Sequence, residues 1–205
     1  MTLDPSLMKS MIVAAAQRII DNADELTALD QAIGDGDHGI NMTRGCSEVL
    51  ARLDAIAEKP VGEALKTVGM MLVMKVGGAS GPLYGSLFMG MGKAFGDKPA
   101  DMATLAEAFA AGVDALAARG KSTAGEKTML DVLIPVREAL KAQGPDLGAR
   151  LREAAAGGAA ATVPMRATKG RASYLGERSI GHLDPGARSS QLLVEALSPF
   201  VDGSP

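Results

Sequence analysis

The chain has 205 residues, a formal net charge of -3, 47% hydrophobic and 22% charged residues. Those values fit a single domain over 1–205 and exclude wholesale disorder and a broad electrostatic grip on nucleic acid. One cysteine, Cys46, excludes an intrachain disulfide or a cysteine zinc cluster, and this suits a cytoplasmic, reducing setting.

The stretch Met1–Lys9 shows no basic-then-apolar leader pattern. The longest apolar run, Val68–Val76, is interrupted by Lys75 and is too short to span a bilayer. Aromatics are 3% with no Trp, which argues against base-stacking platforms. The core must then come from Ala, Leu, Met, Val and Ile.

In chain order, Asp4-Pro5 supplies an N-cap and a first-turn proline. Met8, Ile12, Ala15, Ala16 and Ile19 follow at helical spacing. A short helical turn is expected near 23–29. The next helix runs through Met42, Val49 and Leu53. A third, with Leu65, Val68, Leu72 and Val76, stops at Gly77-Gly78, and a fourth starts at Ser80-Gly81-Pro82. Leu105 to Leu116 makes a fifth, ended by Gly120, and Met129 to Leu140 a sixth, ended by Gly144-Pro145. Leu147 to Met165 makes a seventh, loosened at Gly157-Gly158, and Leu193 to Phe200 belongs to the last. No useful period-2 strand occurs. About eight helices with short connections predict an all-α, closed antiparallel up-and-down barrel or bundle. One connection, 167–184, is long and glycine-punctuated, and reads as a lid.

The densest chemical pattern is Asp30-Gln-Ala-Ile-Gly-Asp35-Gly-Asp37-His38-Gly-Ile-Asn41. Three carboxylates so close repel one another unless a cation neutralises them. Oxygen donors alone favour Mg²⁺, Mn²⁺ or Ca²⁺ over zinc, and a solvated capping turn is the plainer alternative. Neither Asp30 nor Asp35 starts an EF-hand loop: the sixth residue from Asp30 is Asp35 and the twelfth from Asp35 is Cys46. Gly34, Gly36 and Gly39 form a literal G-x-G-x-x-G, but no strand precedes it and two Asp lie inside it, against the dinucleotide reading. Gly120-Lys121-Ser122 resembles the end of a P-loop, yet lacks its first glycine. His38, beside two Asp, is expected to favour its charged form unless a cation binds.

Gly77-Gly-Ala79-Ser80-Gly-Pro82 feeds a helix N-terminus, which is either an anion site or a tight helix–helix turn. Lys127 or Thr128 could face the same site, and Met129 could be core or cover a flat ring. Lys169, Arg171 and Arg178 sit in the long connection, where Arg171, after Gly170, is the freer to reach a phosphate.

Taken together, Ala32–Met42, Gly77–Gly85, Glu126–Met129 and Gly170–Gly186 resemble the L (nucleotide-binding) subunit of dihydroxyacetone kinase, in the family's order and over essentially the whole chain. The resemblance implies a closed barrel of eight antiparallel helices. It implies two Mg²⁺ ions held by Asp30, Asp35 and Asp37. It implies nucleotide contacts at His38, Asn41, Ala79, Ser80, Gly120, Met129, Arg171, Asp184, Pro185 and Gly186, with Arg178 a weaker choice. Arg171 would assist transfer. The implied activity is phosphoryl transfer from Mg-bound nucleotide to dihydroxyacetone on a separate K subunit. ADP is then rephosphorylated in place by a phosphohistidine M subunit of the phosphotransferase system, or exchanged for ATP. A related ketose substrate, a nucleotide-loaded regulatory adaptor and a homodimer stay open.

Overall fold

The computed structural model describes residues 4–202; Met1–Leu3, part of the stretch read for a leader, lie outside it. Helix α1 (Pro5–Asp21) starts where the Asp4 carboxylate accepts from the Leu7 N–H at 2.8 Å and Pro5 presets the first turn. Helix α2 (Ala23–Ile33) outruns the short turn expected there, and buries Leu26, Asp30 and Ile33. The second predicted helix divides at Arg52 into α3 (His38–Ala51) and α4 (Leu53–Ala57). Helices α5 (Val61–Lys75), α6 (Ser80–Phe95), α7 (Met102–Gly120), α8 (Leu130–Ala142), α9 (Leu147–Ala161) and α10 (Pro185–Leu197) follow. Short 3₁₀ segments cover Arg171–Ser179 and Ser198–Phe200. There are no strands among the described residues.

Packing runs round a ring: α1 on α3, α3 on α5, then α6, α7, α8, α9 and α10 in turn, and α10 back on α1. This is the predicted closed barrel of eight, with α2 and α4 outside the ring and α2 lying against α3 and α10. The main core cluster is aliphatic: Ile19, Val113, Leu116 and Leu130 of the ring are essentially inaccessible, as are Tyr84 and Phe95, and Leu26 of α2 and Ile56 of α4 pack into the same cluster from outside. Truncating one such Leu or Ile to Ala costs roughly 2–5 kcal/mol.

Small residues let neighbouring backbones touch. A Cβ on Gly69 of α5 would lie 2.8 Å from the Gly85 carbonyl oxygen of α6, and one on Gly85 2.9 Å from that of Gly69. Pro135 inside α8 leaves the Asp131 carbonyl without its helical donor. That carbonyl faces Gly158 of α9, where a Cβ would come within 2.3 Å. The Gly157-Gly158 pair thus does not loosen α9, which is continuous to Ala161; Gly158 lets α9 close on the proline-freed carbonyl.

Candidate functional site

In an antiparallel ring, alternate helices present opposite ends. At one end of this barrel the starts of α3, α6, α8 and α10 surround a cleft of about 340 Å³, interleaved with the end of α7 and the glycine loop after α5. Helix N-termini carry unpaired N–H groups and positive dipole ends, so the fold itself makes this end receptive to anions. The volume falls in the range of small-molecule sites.

The acidic turn forms one wall. Asp30, buried in the last turn of α2, accepts from the N–H groups of Asp37 at 2.8 Å and His38 at 3.1 Å, so its carboxylate also caps α3. The chain turns this tightly because of Gly34, where a Cβ would meet Asp30 Oδ1 at 2.0 Å, and Gly36 at φ +75°. One carboxylate oxygen each of Asp30, Asp35 and Asp37 lie within 4.8 Å of one another. This oxygen-only cluster fits a hard divalent cation. Across the cleft, an Arg171 guanidinium nitrogen stands 3.0 Å from Asp35 Oδ2. The Arg188 fork ties α10 to Glu25 of α2 at 2.7 and 3.2 Å, steadying the helix that carries Asp30.

His38 opens α3 and is buried. Its Nδ1 lies 3.0 Å from Ser80 Oγ and its Nε2 3.0 Å from Ser189 Oγ. Ser189 in turn donates to the Gly186 carbonyl at 3.1 Å, and Tyr84 OH reaches Ser189 and Ser190 at 2.8 and 2.9 Å. A neutral imidazole closes this network, donating from Nε2 and accepting at Nδ1. Burial pushes the His38 pKa down, outweighing the opposing pull of Asp30 and Asp37. The charged form expected from the neighbouring aspartates is therefore not the favoured one: desolvation wins.

The opposite wall combines the end of α7 at Gly120, Met129 before α8, and Asp184-Pro185-Gly186 at the start of α10. Asp131 shapes the turn before α8 by accepting from the Thr128 N–H at 2.7 Å and from the Gly125 N–H. Lys127 borders the cleft, as expected, but its Nζ is engaged by the Thr162 and His182 carbonyls rather than aimed freely at a phosphate. The 167–184 connection is folded, with Ala167, Ala172 and Leu175 packed on Ile33, so it has more apolar anchorage than its sequence suggests.

Asp184 caps α10 by accepting from the Ala187 N–H at 2.7 Å. The residue is half-buried at the cleft wall, and desolvation of its carboxyl pushes its pKa up to about 7, with the Ala187 N–H and then Lys127 opposing and Asp131 adding to the rise. The folded chain thus binds a proton between the ordinary carboxylate range and pH 7 that the unfolded chain has released, and this contribution to stability falls as pH rises through that window. Asp184→Asn keeps a capping side chain and removes the titration. Its melting temperature should gain on that of the parent between pH 5 and pH 8; a constant difference between the two melting curves would disprove the assignment.

The cleft gathers Asp30, Asp35, Asp37, His38, Ala79, Ser80, Gly120, Lys127, Thr128, Met129, Lys169, Arg171, Asp184, Pro185 and Gly186 of the residues singled out from sequence. Two others stand apart. Asn41 is buried behind the glycine loop, where a Cβ on Gly77 would touch its Oδ1 at 2.5 Å, so it shapes the loop rather than lining the cleft. Arg178 is exposed and does not line the cleft, because the Gly176 kink at φ 58° turns the end of the 3₁₀ segment. Sequence reasoning missed Leu83 and Leu116 as cleft residues, since their helical spacing marks only core, and Arg119 in the last turn of α7.

Residues 32–199 match the model of the DAK2 domain family. The chain belongs to that family. It is 49% identical over 197 residues to the PEP-dependent dihydroxyacetone kinase 1, ADP-binding subunit DhaL, of Listeria innocua, covering 96% of this chain and 97% of the relative. It is 44% identical to the corresponding ADP-binding subunit of Escherichia coli, covering 94% and 97%. The dihydroxyacetone kinase of C. freundii, solved with AMP-PNP and Mg2+, superimposes with a TM-score of 0.80 at 25% identity over 95% of this chain. This chain spans only 34% of that longer one. The family relationship read from the motifs and the all-helical fold are both established by these matches.

Proposed function

We propose that this chain is the ADP/ATP-binding subunit of a dihydroxyacetone kinase. The carrying observation is the convergence of Asp30, Asp35 and Asp37 with Arg171 on a cleft ringed by helix N-termini. Asp30, Asp35 and Asp37 would hold two Mg²⁺ ions, whose chemistry is to neutralise charge on the nucleotide phosphates. Ser80 and the backbone at the start of α6 orient the phosphates, and Leu83, Leu116 and Met129 pack on the base. In transfer, the bond between the γ-phosphorus and the ADP oxygen breaks and one to a ketose hydroxyl oxygen forms, with the hydroxyl proton passing to a partner base. Arg171 is placed to stabilise the charge that spreads over the phosphoryl oxygens. No nucleophile of this chain is needed.

The ketose would be held by a K subunit docked over the cleft, with ADP rephosphorylated in place by an M subunit. Supporting a partner there, Ile40, Met74, Tyr174 and Ile180 are exposed apolar side chains on elements that border the cleft. A second reading is an ATP-exchanging subunit for another small ketose. It is favoured by 36% identity to the L-erythrulose 1-kinase of Mycolicibacterium smegmatis, of which the chain covers 33%. Native mass spectrometry distinguishes the two: stably retained ADP supports rephosphorylation in place, and ready exchange for added ATP supports the second. In either case EDTA should reduce nucleotide affinity at least ~100-fold, because the uncompensated aspartates repel phosphate. Unchanged ADP binding in EDTA, read by calorimetry, would remove the metal from the proposal.

A further inference from the structure

Lys127 is the one fully buried lysine among the described residues, at 1% exposure, and its backbone is left-handed at φ 61°. A buried ammonium in such a conformation is costly, and an apolar side chain would fill the same space more cheaply. Its placement shows what the charge does. Nζ donates at 2.6 Å to the carbonyl of Thr162, directly after α9, and also to the carbonyl of His182, just before Asp184 caps α10. Around it the Gly181 N–H donates to the Val163 carbonyl at 2.8 Å and the Asp184 N–H to Thr162 Oγ1 at 3.1 Å. A single ammonium therefore joins both ends of the excursion that carries Arg171. Lys127 and the next two residues, Thr128 and Met129, all border the cleft.

We propose that Lys127 is a positioning residue: its ammonium ties the base of the 163–183 excursion shut and thereby fixes Arg171 and the Asp184-Pro185-Gly186 wall at the cleft. Its importance for phosphoryl transfer rests on the function proposed above, but the tie itself does not. The two can fail separately, because the first arm of the test uses no nucleotide.

That arm is amide hydrogen exchange of the unaltered chain. The Gly181 and Asp184 amides, at the tied base, should exchange roughly tenfold or more slowly than those of Thr168 and Ser173 farther out. Equal rates would overturn the proposal, and this arm alone decides if a variant does not fold. The second arm is Lys127→Met. Exchange at Gly181 and Asp184 should quicken roughly tenfold or more while α5 and α6 stay as protected as before, and the Mg-ADP dissociation constant should rise about tenfold. Lys127→Arg, which keeps a cation with several N–H donors, should recover at least half of the lost affinity on a logarithmic scale. A methionine variant within twofold of the parent in both readouts overturns the proposal. So does uniform loss of protection across the ring, or an arginine variant as weak as the methionine one. Absence of nucleotide binding by the parent, with the tied base still protected, would sink the proposed function and leave the tie standing.

Discussion

Asp37→Asn is expected to lower phosphoryl transfer by at least about 10²–10³-fold in an assay reconstituted with the partner subunits, with the helical fold intact. The carboxylate oxygens of Asp30, Asp35 and Asp37 come within 4.8 Å of one another. Each such pair repels by about 1 kcal/mol under water-like screening and more where water is excluded. Neutralising Asp37 relieves that repulsion, and although Asp37 stands at the N-cap of α3 its side chain makes no capping hydrogen bond whose loss would offset the gain. Asp30 differs. It accepts two backbone N–H groups at the start of α3, so changing it confounds metal binding with helix capping, a loss of roughly 1 kcal/mol or more. Melting temperature and circular dichroism without metal, followed by transfer rate with Mg-nucleotide, separate these effects. A cooperative loss of helix in metal-free Asp37→Asn would make the turn structural. An undiminished rate would remove Asp37 from the metal site.

The parts of the site that the sequence reveals are those written contiguously. The aspartate turn, the glycine loop and the 170–186 segment each place donors, glycines and a helix start within a dozen residues, so their chemistry can be read locally. The ring of eight was legible because aliphatic spacing of 3.6 marks each helix and short connections oppose neighbours. What escaped depends on distant partners. Burial pushes the His38 pKa down while Asp30 and Asp37 pull the other way, and the hydroxyls beside its ring come from distant α6 and α10. Lys127 bonds to carbonyls 35 and 55 residues away, and a carbonyl has no identity in a sequence. Gly157-Gly158 looked like a break because its reason, the carbonyl freed by Pro135, lies on another helix.

Arg171→Ala is expected to slow transfer by about 10²–10³-fold while changing Mg-ADP affinity by no more than about threefold. The side chain is 64% exposed and its pair with Asp35, itself 35% exposed, is of the kind that contributes about 1 kcal/mol or less, so its removal barely touches the resting protein. In the proposed complex, cations held on the aspartates and the surrounding helix N-termini would already counter the charge of the nucleotide, which leaves little ground-state work for one more cation. Charge on the phosphoryl oxygens is redistributed only as the bond to ADP breaks, and a guanidinium at the edge of the cleft then gains strength that it lacks beforehand. Arg171→Lys retains the charge but loses the planar fork, and should recover part of the rate. Single-turnover kinetics with the K subunit, paired with calorimetric affinity for Mg-ADP, reads both quantities on the same samples. Equal losses in affinity and rate would assign Arg171 to nucleotide binding alone, and the excursion that carries it would then serve to retain ADP rather than to promote its chemistry.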